Sequence, residues 1–172
     1  MTIALPGFRA GAALAAAACA LLLGFGLWLQ YGEGQQPCPL CYIQRGFFIA
    51  VMAVLVLAAL HGPGRAGSLA YAIVAALFAA GGAAVAARQV WLQHLPADKV
   101  PACGPDLFYM LDKLPLVRTL QKLVQGSGEC AEVNWRFLGL SIAEWSLACF
   151  CSLVLYSLWL GSMRAPPAAG AR

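Results

Sequence analysis

Four apolar runs, each about twenty residues long, constrain the fold of this chain more than any other feature. They lie at 10–29, 42–60, 68–87 and 142–163. An α-helix rises about 1.5 Å per residue, so a run of this length can cross the hydrocarbon layer of a bilayer, which is about 30 Å thick. Only 10% of the residues are charged, against about 25% in an ordinary soluble domain. The sequence therefore predicts an all-α membrane protein, a single domain over 1–172 with four transmembrane helices in an antiparallel bundle.

The first apolar run has a competing interpretation as a cleaved signal peptide. Arg9 precedes an alanine-rich run, and a basic residue before an apolar core is typical of such a signal. However, the run is longer than the usual signal core. Tyr31 and Gly32 then place an interfacial aromatic residue and a helix breaker at its end. We therefore interpret this run as a retained first span.

The connections between the spans divide between the two sides of the membrane. Loops 30–41 and 88–141 are two crossings apart, so they lie on the same side. The other side holds the N-terminus, the turn 61–67 and the tail 164–172, and its charged residues are all arginines. Because loops rich in Lys and Arg stay inside, we expect both termini in the cytoplasm. The net charge of +4 includes no basic cluster that would indicate nucleic-acid binding.

The long second loop contains a segment with helical periodicity over 115–124. Apolar residues recur there at helical spacing, and basic residues fall mostly on other faces. Pro115 suits a first helical turn, and the Gly-Ser-Gly sequence at 126–128 suits an end. Such a short amphipathic helix is typical of a membrane surface, but packing against other loop residues is an equally open interpretation.

The seven cysteines separate into two groups by position. Three lie within apolar runs, where we expect them to be buried as small hydrophobic residues: Cys19, Cys149 and Cys151. Four lie in the two loops that share one side of the membrane: Cys38, Cys41, Cys103 and Cys130. Paired cysteines persist in oxidising compartments outside the cytoplasm. Together with the charge distribution, they indicate a bacterial-type inner membrane with the loop cysteines facing the periplasm.

Cys38 and Cys41 form a Cys-x-x-Cys motif at the beginning of the second span. A helix N-terminus stabilises a thiolate at Cys41, and Arg45 at i+4 adds a fixed positive charge that can also bind a carbonyl oxygen. A thiolate beside a cation at bilayer depth suits electron exchange with a flat acceptor dissolved in lipid, and a quinone fits this description. The plainer interpretation is a disulfide that only staples the loop.

Cys103 and Cys130 provide a second pair on the same side. Four cysteines allow three pairings, and local closure favours Cys38–Cys41 with Cys103–Cys130. Exchange between neighbouring pairs passes two electrons at each step. A zinc site is the non-enzymatic rival, but the second pair lacks the matching spacing and an oxidising compartment disfavours four free thiolates, so we expect no metal. His94, just beyond the third run, is either a further member of the site or merely interfacial.

In combination, these residues resemble the disulfide bond formation protein B (DsbB) family, quinone reductases of bacterial inner membranes. The resemblance covers nearly the whole chain. It rests on the four spans, on Cys38-Pro39-Leu40-Cys41 with Arg45, and on Cys103 and Cys130 in the second loop. The segment from Gly128 to Gly139 is also similar to the end of the family's second loop.

The resemblance implies an electron path that sustains protein disulfide formation. A reduced periplasmic thioredoxin-fold protein of the DsbA type attacks the Cys103–Cys130 disulfide, with Cys103 in the mixed disulfide. Electrons then pass to Cys38–Cys41, and Cys41 reduces ubiquinone or menaquinone with the assistance of Arg45. The chain would thus be a quinone-dependent protein-disulfide oxidoreductase.

Three other functions remain open on the sequence. The family has paralogues that serve a dedicated substrate, and the sequence does not exclude such a role. Proteins of the vitamin K epoxide reductase type also couple thiols to quinones in a four-helix bundle. Their active Cys-x-x-Cys comes late and their loop pair early, and the reversed order here argues against that class. The third is a disulfide-stapled or metal-binding scaffold.

Overall fold

Four long helices dominate the structure, a computed structural model that describes residues 7–101, 112, 115, 118, 126 and 128–163. The helices are α1 (Phe8–Tyr31), α2 (Pro39–His61), α3 (Arg65–Gln93) and α4 (Ile142–Ser162). Each is long and apolar enough to cross a membrane. The predicted four-helix transmembrane fold is therefore confirmed.

Several expectations fall outside the described residues. Cys103 is among them, as are nearly all of the segment 115–124 and the tail 164–172. The pairing of Cys103 with Cys130 and the amphipathic helix therefore stay predictions.

α3 continues well past the apolar run that predicted it. The run ends at Ala87, whereas the helix ends at Gln93. Polar side chains do not interrupt backbone hydrogen bonds, and the first strong helix breaker after Ala87 is Pro96. This extension puts Gln89 on a helix that faces the first loop.

α2 and α4 both begin close to the cysteine pair. Cys38 is the N-cap of α2, and Pro39 occupies the first helical position, where its missing N–H is tolerated. α4 begins with a capping box, in which the Ser141 hydroxyl accepts from the Glu144 N–H at 3.3 Å. The Ser141 N–H in turn donates to the Glu144 carboxylate at 2.7 Å.

Consecutive helices pack along their length, whereas α1 and α4 touch mainly at the end away from the cysteines. There the Tyr156 hydroxyl donates to the Gly11 carbonyl at 3.2 Å. In the middle of the bundle, Phe48 of α2 stacks on Phe150 of α4 with ring centroids 4.0 Å apart. Toward the cysteine end α1 and α4 leave a gap between them, and this gap becomes part of the site.

A small hairpin that the sequence did not predict precedes α4. It pairs β1 (Arg136–Phe137) with β2 (Leu140–Ser141) through a two-residue turn. Both turn residues have positive φ, 52° at Leu138 and 83° at Gly139, as in the turns that close tight hairpins. Strands of two residues carry too little alternation to be recognised in a sequence.

Candidate functional site

Three of the four loop cysteines converge at the N-terminus of α2. The Sγ atoms of Cys38 and Cys41 lie 3.1 Å apart. Cys130, at the end of a short 3-10 turn over Gly128–Cys130, is completely buried. Hydrogen bonds of the Cys38 thiol to Cys130 and to Cys41, together with burial, raise the Cys38 pKa above its ordinary value. Cys38 therefore stands between the two other cysteines, and its surroundings disfavour the thiolate form.

Two buried glutamines complete the thiol cluster. Gln89 of α3 places its Nε2 atom 3.4 Å from the Sγ atoms of both Cys38 and Cys41. Its Oε1 atom accepts a hydrogen bond from Gln44 Nε2 of α2 at 2.6 Å. Neither glutamine was predicted from the sequence. The signal that could have found them is an amide within or at the end of an apolar run, since a polar group there needs a partner.

Arg45 lies one turn beyond Cys41 and is anchored to α1. Its Nη2 atom donates to the Gly26 carbonyl at 2.9 Å, and Nη1 donates to Gln30 Oε1. Its guanidinium also lies 5.8 Å from the centre of the Tyr42 ring. These contacts hold a fixed positive charge near the cysteine pair.

A cavity of about 630 Å³ opens beside Cys41, in the gap between α1 and α4. Its lining is mostly apolar, and its few polar side chains include Arg45 and Gln44. Binding pockets for small organic molecules have this size and this composition, with a few polar groups that fix the ligand's orientation. A flat lipid-soluble ring with carbonyl groups, such as a quinone, fits this lining, because Arg45 offers donors to an oxygen and the walls suit an apolar tail.

Aromatic rings frame the outer end of this cavity. Trp135 meets Phe25 of α1 edge-on, with ring centroids 5.9 Å apart, and stacks on Phe137 at 6.0 Å. The Trp145 indole N–H donates to the Phe137 carbonyl at 3.0 Å, so the hairpin is fixed to α4. The loop before α4 thereby forms one wall of the cavity.

A second, much smaller cavity of about 70 Å³ lies on the other side of the cysteine pair. Its lining is polar and includes Cys38, Cys41, Gln89, Glu129 and Glu132. Cys41 borders both cavities. The thiol pair thus separates a polar space from an apolar one.

His94 lies at the end of α3 and lines neither cavity. Its side chain is 67% exposed, with Nδ1 2.8 Å from the Val90 carbonyl and Nε2 4.0 Å from the Glu144 carboxylate. Its membership of the site stays a prediction. Within the described part of the chain, no group of three or more His, Cys, Asp or Glu side chains is arranged to hold a metal ion.

The three cysteines of the spans differ in their surroundings. Cys19 is completely buried, as expected, but Cys149 is only half-buried and borders the large cavity. Cys151 is exposed on the outer face of α4. Burial was the wrong expectation for Cys151, because an apolar side chain of a transmembrane helix can face lipid instead of protein.

The fold and the site define a class: multi-pass helical membrane proteins with a thiol pair at one end of the bundle, next to an apolar cavity. The family model for "Disulfide bond formation protein DsbB" matches residues 8–160, and this chain belongs to that family. Disulfide bond formation protein B of Chromobacterium violaceum is 46% identical over 156 residues, which cover 91% of this chain and 94% of that protein. The namesake from Hahella chejuensis is 51% identical over 133 residues, covering 77% and 81%.

A third relative extends the match to almost the full length. Disulfide bond formation protein B of Saccharophagus degradans is 45% identical over 161 residues, covering 94% of this chain and 97% of that protein. The resemblance noted in the sequence is thus confirmed. The chain is a disulfide bond formation protein with a disulfide-forming oxidoreductase role, embedded in a membrane by several spans.

Proposed function

We propose that this protein oxidises the dithiol of a periplasmic thioredoxin-fold protein of the DsbA type and passes the two electrons to ubiquinone or menaquinone. One observation carries the proposal: Cys41 touches Cys38 at 3.1 Å and also borders the large apolar cavity beside Arg45. A thiol pair with another cysteine on one side and a lipid-type cavity on the other can connect a water-soluble disulfide to a lipid-soluble acceptor.

The outer half of the relay uses Cys103 and Cys130. A thiolate of the partner attacks Cys103 Sγ, the Cys103–Cys130 bond breaks, and Cys130 leaves as a thiolate. The partner's second thiol then attacks its own sulfur in the mixed disulfide and releases Cys103. The partner has lost two electrons and two protons, and the loop pair of this chain has gained them.

The inner half begins where Cys130 contacts Cys38. The Cys130 thiolate attacks Cys38 Sγ in the Cys38–Cys41 disulfide, and Cys41 leaves as a thiolate. Cys103 then attacks Cys130, which restores the loop disulfide and releases Cys38. The raised pKa of Cys38 supports this order, because it makes Cys38 the poorer leaving group of the pair, so that the first bond to break releases Cys41 beside the cavity.

Cys41 and Cys38 complete the cycle by forming their disulfide again. Two electrons and two protons leave the pair for the acceptor, so the bond that forms between the sulfurs balances the reduction of one quinone to one quinol. Arg45, held in place by Gly26 and Gln30, supplies a fixed positive charge beside the oxygen on which negative charge develops, and its remaining N–H groups can donate to that oxygen.

The proposed function also implies an orientation of the protein in the membrane. We place it in a bacterial inner membrane with both termini in the cytoplasm and the thiol pair at the periplasmic face. The arginines Arg9 and Arg65 at the opposite end of the bundle support this placement.

Quinone reduction by purified protein tests the function. The full chain is mixed with a reduced thioredoxin-fold partner and a soluble quinone, and quinone absorbance is followed. We expect turnover in the wild type and a loss of about a hundredfold or more in each single Cys→Ser variant at 38, 41, 103 and 130, since each removes a nucleophile. Cys151→Ser, on the outer face of α4, is the matched control and should keep its activity. A wild type that reduces no quinone, or a fully active Cys41→Ser variant, would refute the proposal.

A further inference from the structure

We propose that Gln89 is a catalytic residue of the relay, whose single amide group stabilises the negative charge on either sulfur of the Cys38–Cys41 pair. The role rests on the proposed thiol–quinone function, because only a reaction that passes charge from one sulfur to the other uses both contacts. No proton moves to or from Gln89.

The position of the amide nitrogen suits two sulfurs at once. Gln89 Nε2 lies 3.4 Å from Cys38 Sγ and 3.4 Å from Cys41 Sγ. A side-chain amide carries two N–H hydrogens, one available for each sulfur. The Gln89 side chain is only 4% exposed, so water competes little for these donors. Hydrogen bonds to a charged acceptor are about twice as strong as those to a neutral one.

Gln44 fixes which end of the amide faces the sulfurs. It is itself buried, and its Nε2 donates to Gln89 Oε1 at 2.6 Å. If the Gln89 amide were rotated by half a turn, two N–H groups would face each other and the sulfurs would lose their donor. Gln44 is therefore a positioning residue that acts through Gln89.

The Gln89 amide can also form a hydrogen bond with Cys41 when Cys41 is protonated. As a thiol, Cys41 donates to Gln89 Oε1 across 3.7 Å, and as a thiolate it accepts from Nε2. In the inner half of the relay, charge appears first on Cys41, when Cys130 attacks, and then on Cys38, when Cys103 releases it. Gln89 contacts both leaving sulfurs without a change of side-chain position.

Other charged and titratable groups also surround the pair. They are Arg45 on α2, Glu33 after α1, Glu129 and Glu132 before β1, and the thiol of Cys130. Arg45 favours a thiolate and the carboxylates oppose one. All of these groups are unchanged in the glutamine variants described below. A difference in Cys41 reactivity between those variants therefore reports the effect of the Gln89 amide.

Alkylation of Cys41 tests this role without quinone or partner. In reduced, full-length Cys38→Ser protein, iodoacetamide modification of Cys41 is followed over pH by peptide mass spectrometry. We expect Gln89→Met, which keeps the side-chain length, to slow modification about tenfold near neutral pH, the size expected for one lost charge-assisted hydrogen bond. The midpoint of the pH profile should move up by about one unit.

Gln93→Met is the matched control. Gln93 lies one turn further along α3, and its Oε1 accepts from the Ser141 hydroxyl at 2.8 Å rather than contacting a sulfur. The Gln93→Met variant should show the same pH profile of Cys41 alkylation as protein with Gln89 in place. Gln44→Met tests the same proposal if Gln89→Met does not fold, and we expect a roughly threefold slowing because the amide remains but is no longer oriented.

These experiments distinguish failure of the Gln89 role from failure of the proposed function. Unchanged alkylation profiles in folded Gln89→Met or Gln44→Met protein would overturn the role of Gln89 and leave the relay intact. If the wild type reduces no quinone in the assay described above, the proposed function fails, and the catalytic role of Gln89 fails with it.

Discussion

Arg45 is the residue on which acceptor binding depends most in this account. Its guanidinium is held by Gly26 and Gln30 of α1, so its charge is oriented before any ligand arrives. We predict that Arg45→Ala raises the KM for quinone about tenfold or more, because a charged hydrogen bond to the ring oxygen is lost, and that the melting temperature changes little. Arg45→Lys should fall between, since it keeps the charge and loses the planar fork.

Arg9→Ala provides the control for that comparison. Arg9 also donates to a backbone carbonyl, that of Ala59 at 2.9 Å, but at the opposite end of the bundle. Its replacement should leave the KM for quinone unchanged. An unaltered KM in Arg45→Ala protein would remove Arg45 from the site.

The sequence identified the reactive residues better than the residues that surround them. Cys38, Cys41 and Arg45 lie within eight consecutive positions, so helix periodicity alone relates them. Gln44 and Gln89 are on different helices, and their contact exists only because α2 and α3 pack side by side. No local pattern encodes such a pair.

At the scale of helices, the contact between α3 and α4 depends on Gly82. A methyl group there would overlap the Phe150 ring, which is already stacked on Phe48. We predict that Gly82→Ala destabilises the folded state by about 1–3 kcal/mol, the usual cost of overpacking a core. Thermal unfolding in detergent, followed by intrinsic fluorescence, measures the effect.

Gly24→Ala is the corresponding control in α1. A Cβ at Gly24 meets nothing within 4 Å, so the substitution should be neutral or stabilise by up to about 1 kcal/mol through helix propensity. Equal melting temperatures for the Gly82 and Gly24 variants would contradict the packing described here.

Hydropathy predicted all four helices and placed their ends closely, except for the C-terminal end of α3. α3 extends to Gln93 because its last residues still form helix after the apolar pattern stops. The hairpin at Leu138 and Gly139 was missed for a related reason, since its strands are too short for any period. Both misses affect the site, because Gln89 and Phe137 lie in these two segments.

At the scale of the whole molecule, the charge distribution makes a prediction about orientation. Alkaline phosphatase folds only outside the cytoplasm, where its disulfides form. We expect active fusions after residues 34 and 98, and inactive fusions after residues 64 and 163. The reverse pattern would contradict the proposed placement of the thiol pair at the periplasmic face.

The large cavity is a property of the whole bundle and could not be predicted from any one segment. It exists because α1 and α4 separate near the cysteines while Tyr156 and Gly11 hold them together at the other end. The sequence predicted that a lipid-soluble acceptor would be used near Cys41, from local charge and depth alone. The helices that enclose the cavity for this acceptor could not be predicted, because they depend on how the bundle packs.

The order of the relay can be measured most directly by counting quinols from pre-reduced protein, without a partner and without oxygen. Each dithiol carries two electrons, enough for one quinol. We expect about two quinols per wild-type chain, about one for the Cys103→Ser/Cys130→Ser variant, and none for Cys41→Ser. Quinol formation by Cys41→Ser protein, or none by the double variant, would contradict the claim that Cys38 and Cys41 alone deliver electrons to quinone.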